Sequence, residues 1–415
     1  MGRGLEELRF TGEPVIELDN GTAYDGPHVR HVTIACEVAT LPTATPEAHC
    51  NHEHFTLYGW ADKPTRVSDR RIELAPTALL IHRRRLHCKR CDTLILERMP
   101  GVEIEHRITR RLYDDVFHAA VNRPFEDVAR LHGVSPGLIQ TIFRERARDL
   151  LGDYRPELPE AIAIDETMIA GQQRFVCNDL LTRSLVEILP DRSHAAISAF
   201  FQRQGSQKRV QVVVQDMNGG YRTLVREAFP DAMIVIDRFH VAEALNRAMN
   251  AARSAAMRAI KGDDVERKGL RKLGPLFLKN RRDLTRHELG ELKGVLRAHP
   301  ELKRAWMLKE ELKRLYRFGS PERAAEHLDR IDARYDRRWT PVMKPMGAVI
   351  KMIREYEAEI LNWHRCFQDN SFTEAMNHRY QLIDAARSGL RFETMRAKAL
   401  LRYSGILDPW YLERL

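Results

Sequence analysis

The sequence predicts a multidomain α/β protein built around a short, largely parallel sheet. Three observations carry that reading. Val212-Val213-Val214 is a short apolar run leading to an acid, Asp216, and Met233 to Ile236 is a second such run ending on Asp237. Between them, Asn218-Gly219-Gly220 breaks the pattern, and Tyr221, Leu224, Val225, Ala228 and Phe229 recur at helical spacing as far as Pro230-Asp231. Short apolar strands alternating with a helix suit buried parallel pairing. Third, Ala161-Ile162-Ala163-Ile164 runs into Asp165-Glu166 in the same way. Chemistry in open α/β sheets gathers at the carboxyl ends of the strands, so these acids are candidate site residues. Taken singly, each also reads as a helix cap or a solvated strand end.

The surrounding pattern extends this core over residues 156–240. Strands are expected at 161–165, 173–178 and 183–189, the last two as a hairpin, followed by a helix at 194–204 and strands at 210–215 and 233–236. Three antiparallel strands, then helices alternating with parallel strands, is the order that a ribonuclease-H-like core requires. Residues 241–356 read as a large all-α insertion with basic residues throughout, among them Lys279, Arg282, Lys309 and Lys313. Trp306, Leu308, Leu312, Leu315 and Tyr316 form an apolar stripe there that reads as core. The basic faces suit a DNA partner or plain solvation. Residues 357–415 complete the core. There Asn370-Ser371-Phe372-Thr373-Glu374 looks like a helix start, with Ser371 as cap and Glu374 three residues on.

Residues 1–44 read as an acidic, glycine-bearing extension. Residues 45–104 read as a small zinc-ribbon-like module. Cys88-Lys89-Arg90-Cys91 is a knuckle following an expected strand at Ala78 to His82, and Cys50 with His52, Glu53 and His54 lies about one hairpin away. Tetrahedral Zn²⁺ takes four such ligands from paired knuckles. The expected set is Cys50, Cys88, Cys91 and one of His52, His54 or Glu53; a metal-free ribbon held by its own core is the alternative. Arg83, Arg84 and Arg85 form a basic strand or turn suited to DNA phosphate, or a solvated face. Residues 105–155 read as a helix-turn-helix. One helix reaches His132, Gly133 follows, and Ser135-Pro136 opens a second with Ser as cap and Pro in its first turn. Leu138, Ile139, Ile142 and Phe143 share its inner face, leaving Gln140, Thr141, Arg144 and Arg148 outward, as a recognition helix would hold them. A helical hairpin packed under the core fits the same pattern.

Composition agrees. The 415 residues carry a formal net charge of +9 with a pI near 9.3, which favours a polyanionic partner. Six cysteines are too few for a disulfide scaffold and point to a reducing compartment. No apolar run approaches a membrane span, and MGRGLEELRF has no apolar signal region. A cytoplasmic protein without membrane contact is expected.

The segments AIDE at 163–166, VVQDMNGGY at 213–221, FPDAMIVIDRFHV at 229–241 and DNSFTEAMN at 369–377 together resemble the DDE transposases of the ISL-three insertion-sequence family, over about residues 45–405. The resemblance implies a ribonuclease-H-like catalytic core with two Mg²⁺ or Mn²⁺ ions held by Asp165, Asp216 and Glu374, with Asp237 and His240 in support. It also implies double-stranded DNA as partner, both transposon ends and target, a homodimer or larger assembly on that DNA, and a place at the bacterial nucleoid. The activity implied is cleavage of terminal inverted repeats and strand transfer. A metal-dependent nuclease on the same fold, or a catalytically silent DNA-binding repressor, are the alternatives.

Overall fold

The computed structural model describes residues 7–19, 28–39, 55–72, 75–203, 209–260, 264–335, 339–368, 370–385 and 390–407. The chain divides into two compact units, Met1–Tyr154 with Gly405–Leu415, and Arg155–Ser404.

The first unit begins with β1 (Leu8–Phe10), β2 (Val15–Asp19), β3 (His28–Val38), β4 (Phe55–Trp60), β5 (Thr65–Ile72), β6 (Ala75–His82), β7 (Arg84–Cys88), β8 (Thr93–Leu96), β9 (Val102–Glu103) and β10 (Ile108–Thr109). One sheet runs β1-β3-β6-β5-β10-β9 with β2 beside β3; a second, three-stranded sheet runs β4-β7-β8. In β3 the period of two is plain: Val32, Ile34, Cys36 and Val38 are buried and pack with Val67, Leu79, Ile81 and Met99. β3 pairs in parallel with β6, Val32 opposite Thr77 through Glu37 opposite His82. The strands on either side of residue 44 therefore share one sheet.

The arginine run does not form a uniform basic face. Along β7, Arg84 alternates inward with Leu86 and Cys88. Its guanidinium is buried against Glu97 at 2.7 Å and also donates to Val38 O at 3.2 Å. Arg83 donates to Glu97 O at 2.9 Å through Nε, and Arg85 pairs with exposed Asp62 at 2.7 Å. Arg84 is thus a core residue and not a phosphate contact: the strand's period turns it inward, a direction that charge alone did not show.

Three helices complete this unit: α1 (Arg110–Asn122), α2 (Phe125–His132) and α3 (Pro136–Leu151). Between α2 and α3, Gly133 adopts φ 71°, and a Cβ there would meet Pro76 at 3.1 Å, so the turn requires glycine. Ser135 Oγ caps α3 by accepting Leu138 N, with Pro136 in the first turn. Ile139, Ile142, Phe143 and Ala147 are buried, and the Phe143 ring lies 5.5 Å from Phe125 and 6.1 Å from Phe117. Gln140, Arg144 and Arg148 are exposed as expected. Thr141 is half-buried and turns back to donate to Gly137 O at 3.0 Å.

The second unit opens with β11 (Ala161–Ile169), β12 (Gln172–Asp179), β13 (Ser184–Ile188), α4 (His194–Arg203), β14 (Val212–Gln215), α5 (Gly219–Ala228), β15 (Met233–Ile236) and α6 (Arg238–Ala259). Its sheet runs β13-β12-β11-β14-β15. β11, β12 and β13 are antiparallel neighbours, while β14 and β15 run parallel to β11. One face, with Ile162, Ile164, Phe175 and Val213, packs on Phe200, Phe201 and Tyr221 of α4 and α5. The opposite face, with Ala161, Ala163, Val214 and Val235, meets Trp363.

From α6 the chain enters the helical insertion: α7 (Asp264–Lys272), α8 (Gly274–Leu278), α9 (Arg286–Ala298), α10 (Pro300–Leu312), α11 (Pro321–Arg334), α12 (Lys344–Glu355), α13 (Glu357–Leu361) and α14 (Trp363–Cys366). Its core gathers Leu245, Met249, Phe277, Trp306, Leu308, Leu312, Leu315, Met346 and Ile353, so the stripe read around Trp306 is core. Lys309, read as part of a basic face, is fully buried; its Nζ donates to Phe277 O at 2.7 Å and Lys279 O at 2.8 Å. Helices α15 (Ser371–Ala385) and α16 (Phe392–Tyr403) close the unit. Tyr380 Oη donates to Asn178 Oδ1 at 2.8 Å and Gln381 Nε2 to Thr167 Oγ1 at 3.1 Å, which lays α15 along β11 and β12. No helix among the described residues is long and apolar enough to cross a membrane.

Breaking a buried ion pair on one side leaves an uncompensated charge and costs about 3–5 kcal/mol. Arg84→Ala should lower the unfolding free energy by that order, and Arg84→Ala/Glu97→Ala by less than Arg84→Ala alone. Urea titration followed by circular dichroism reads both; a neutral Arg84→Ala would show the pair to be dispensable.

Candidate active site

Asp165 lies within β11 and not at its end. β11 continues to Ile169 because β12 pairs with it from Ile162 opposite Asp179 to Ile169 opposite Gln172. On the other edge, the parallel ladder with β14 stops at Ala163 opposite Val214. Asp165 therefore stands just past the carboxyl end of that ladder, where Asp216 follows β14. The alternation of the strand places Asp165 with Ala161 and Ala163, on the face opposite Ile162 and Ile164. Glu166 points the other way, accepting from Tyr221 Oη at 2.7 Å and pairing with Arg192.

The last pair of the β14–β15 ladder is Gln215 with Ile236, so Asp216 and Asp237 leave neighbouring strands together. Asp237 is buried and caps α6, accepting Phe239 N at 3.3 Å, and its Oδ1 also accepts Asn370 N at 3.4 Å. One turn into α6, His240 Nε2 lies 2.5 Å from Asp216 Oδ1 and 4.0 Å from Asp237 Oδ2.

Helix α15 supplies the rest. It starts at Ser371, and Asn370 O accepts Glu374 N at 2.9 Å. Asn370, and not Ser371, takes the cap position. Asn377 Nδ2 donates to Asp165 Oδ2 at 2.7 Å, and Asn370 Nδ2 lies 3.5 Å from the same oxygen. Positions 370, 374 and 377 are four and three apart and share one helix face. Glu374, half-buried, thus sits between two asparagines that both reach Asp165. The part played by Asn370 and Asn377 escaped the sequence reading, although their spacing around Glu374 carried the signal.

The electrostatics follow from burial. Burial first, and then the charge of Asp216, push Asp165 up to about 7, although Glu166 N–H, His240 and Asn377 oppose the shift. Burial lowers His240, but its contact with Asp216 outweighs that and raises it to about 9. Burial also raises Asp237, against the N–H groups of Phe239 and Asn370. At neutral pH, His240 is a cation among three aspartates. Among the described residues, no three His, Cys, Asp or Glu side chains stand close enough together to hold a metal ion as placed.

Cys88, buried, ends β7, and Cys91, exposed, lies on the turn to β8, with Asp92 N donating to Cys88 O at 2.9 Å. Cys50 and His52 lie outside the described residues.

The profile of the ISL3 DDE-transposase family, described as a transposase, matches residues 162–399. The chain belongs to the ISL3 transposase family. The helix-turn-helix domain profile of transposase family ISL3 matches residues 97–147 of this transposase, covering α1, α2 and most of α3. The chain is 26% identical over 349 residues to the transposase for insertion sequence element IS1001 of Bordetella parapertussis, spanning 83% of this chain and 84% of that one. It is 29% identical over 270 residues to the transposase for insertion sequence element IS1557 of Mycobacterium tuberculosis, spanning 59% of this chain and 60% of that one. The catalytic-family match contains Asp165, Asp216 and Glu374, together with the whole helical insertion between the last two.

Asp165 yields a pH prediction. Its folded pKa lies above the ordinary 3.8, so its ionisation disfavours folding, a cost that begins above that value and is fully present above about 7. In chelator, Asp165→Asn should therefore gain stability relative to the parent between pH 4 and pH 8, by on the order of 3 kcal/mol. Urea melts across that range test this; a difference independent of pH would show that the fold ionises Asp165 as readily as the unfolded chain does.

Proposed function

We propose that this ISL3 transposase binds the terminal inverted repeats of its insertion sequence through the first unit, and cuts and joins DNA at Asp165, Asp216 and Glu374. The observation that carries the reading is the meeting of Asp165 and Asp216 just past the end of the β11–β14 ladder, with both asparagines that flank Glu374 bonded or close to Asp165. The strand order β13-β12-β11-β14-β15, with three antiparallel strands and then two parallel ones, supports a ribonuclease-H-like core. The helix-turn-helix supports double-stranded DNA as partner, and assembly as a homodimer or larger complex on that DNA, in the bacterial cytoplasm, accords with two ends being joined.

The residues fit Mg²⁺ or Mn²⁺. Carboxylates are hard-oxygen donors, and Asp165, raised by its burial and by the charge of Asp216, would have that shift reversed by a dication at that point. Asp165, Asp216 and Glu374 would hold the ions; bound there, they would activate the attacking oxygen and stabilise the leaving one. His240 supplies positive charge to Asp216 until then and must release it. Asn377 fixes the Asp165 carboxylate, and Asp237 anchors the start of α6 and the segment leading to Glu374. Water as attacking group gives cleavage; a DNA 3′-hydroxyl gives joining. In the first unit, Cys88 and Cys91 with Cys50 and His52 are proposed as Zn²⁺ ligands of a zinc-ribbon-like module, a role for which the tight β7–β8 turn is suited.

Asp216→Asn and Glu374→Gln should each abolish nicking and strand transfer of end DNA in Mg²⁺ while end binding by gel shift stays within about threefold, since charge on the acids is lost but the DNA-binding helix is untouched. Parental nicking rates in either variant would refute the assignment. For recognition, Arg144→Ala should cost about 1–3 kcal/mol on the specific repeat and far less on random duplex; equal losses on both would show that Arg144 contacts only phosphate.

A further inference from the structure

A cleft of about 620 Å³ opens beside the acids, walled by the start of α6, the turn at Lys279 to Asp283, the turn at Lys313 to Arg317, and Ser371 and Glu374 of α15. Its size falls within the roughly 300–1,000 Å³ of small-ligand sites. Three features set its chemistry. Phe239 is 52% exposed on the first turn of α6, where Val241 and Leu245 of the same helix are buried. Arg282 and Arg317 are exposed on its rim, and Lys313 is held toward it by Asn246 at 3.3 Å and Asn280 at 3.0 Å. The buried hydroxyl of Tyr316, in its wall, has no hydrogen-bond partner among the described residues. A bare aromatic ring among cations is the combination that holds an unstacked base and its phosphates, and an orphaned hydroxyl gains by meeting a polar ligand atom.

We propose that this cleft seats one unpaired nucleotide of the DNA strand being cut, its base against Phe239 and its phosphates toward Arg282, Lys313 and Arg317, directly beside Glu374. The proposal rests on the reading of the acids as the DNA-cutting site and adds what lies next to the cut: a nucleotide out of the stack. A paired base cannot offer its face to Phe239, so the cleft distinguishes unpaired from paired DNA, independently of the duplex contacts of α3.

The test uses the full chain and two DNA duplexes sharing one strand that carries a single 2-aminopurine, one with a full complement and one whose complement lacks the nucleotide opposite the 2-aminopurine, leaving it unpaired. By fluorescence anisotropy the parent should bind the second more tightly, with quenching of 2-aminopurine on binding. Phe239→Ala should weaken binding of the unpaired probe by about 5- to 150-fold, the span of one base–aromatic stack, Phe239→Trp should keep the preference, and Arg317→Ala should reduce it. The paired duplex should bind all variants within about twofold of the parent. Equal binding of both duplexes by the parent, or an undiminished preference in Phe239→Ala and Arg317→Ala, would overturn the proposal. Nicking of end DNA is scored separately: nicking without the preference removes this proposal alone, whereas a preference without nicking in Mg²⁺ or Mn²⁺ removes the cutting-site reading and leaves the cleft a nucleotide site.

Discussion

Two carboxylates, Asp165 and Asp216, stand near each other just past the end of the β11–β14 ladder in a largely buried setting, and much of the second unit answers that repulsion. Like charges at reduced dielectric repel far more strongly than in water. The fold meets this with neutral donors on one acid and a cation on the other. Asp165 takes Asn377 Nδ2 and Glu166 N, both at 2.7 Å, and Asp216 takes His240 at 2.5 Å. Neither device neutralises Asp165, which is why it stays near 7. A site left in that condition is poised to accept positive charge, and the family membership gives that condition a use.

The geometry depends on returning α15 to β11 after a long excursion. Loop closure over a distant sequence separation is not in itself expensive, but placing Glu374 requires both ends of the insertion to be fixed. Both are fixed to β15. The outgoing end is α6, capped by Asp237 directly after that strand. The returning end is held by Asn362 Nδ2, which donates to Ile234 O at 2.9 Å, and by Glu359, buried against Arg222 at 2.6 Å and Arg226 at 2.8 Å from α5. Asn370 then bonds back to Asp237. Asp237 is thus the hinge post of the site: it joins sheet, outgoing helix and returning segment in one carboxylate, which accounts for its burial.

The sheet and the acids were legible in the sequence because the features that identify them are local. Apolar runs of four residues, a Gly-Gly break and a Ser-Pro helix start each specify their own conformation, and β15, α4 and α3 fall within about two residues of where the pattern puts them. What escaped depends on partners distant in sequence. Asp165 read as a strand end because nothing in its own run shows that β12 extends the ladder to Ile169. The strands of residues 8–38 read as a plain extension because their core partners, Leu79 and Ile81, lie beyond residue 75. Asn377 read only as part of a family signature until its carboxamide was seen on Asp165.

Charge composition was the weakest guide, and the reason is physical. A net excess of lysine and arginine does raise the affinity of a protein for polyanions, but it does not tell which cations face them. Lys309 is sealed inside the insertion by two carbonyls, and Arg354 is held by Asp329 at 2.8 Å, Asp332 at 2.7 Å and Glu357 at 2.9 Å, linking α11 to α12 and the start of α13. Arg84 is inside the first unit's core. These residues hold helices and strands together through charge-assisted bonds and are lost to any ligand. Arg144 and Arg148 on α3, and Arg282 and Arg317 at the cleft, instead stand exposed. For a cation to serve DNA it must be one that the fold does not itself consume, and only the pairing of charge with exposure separates the two groups.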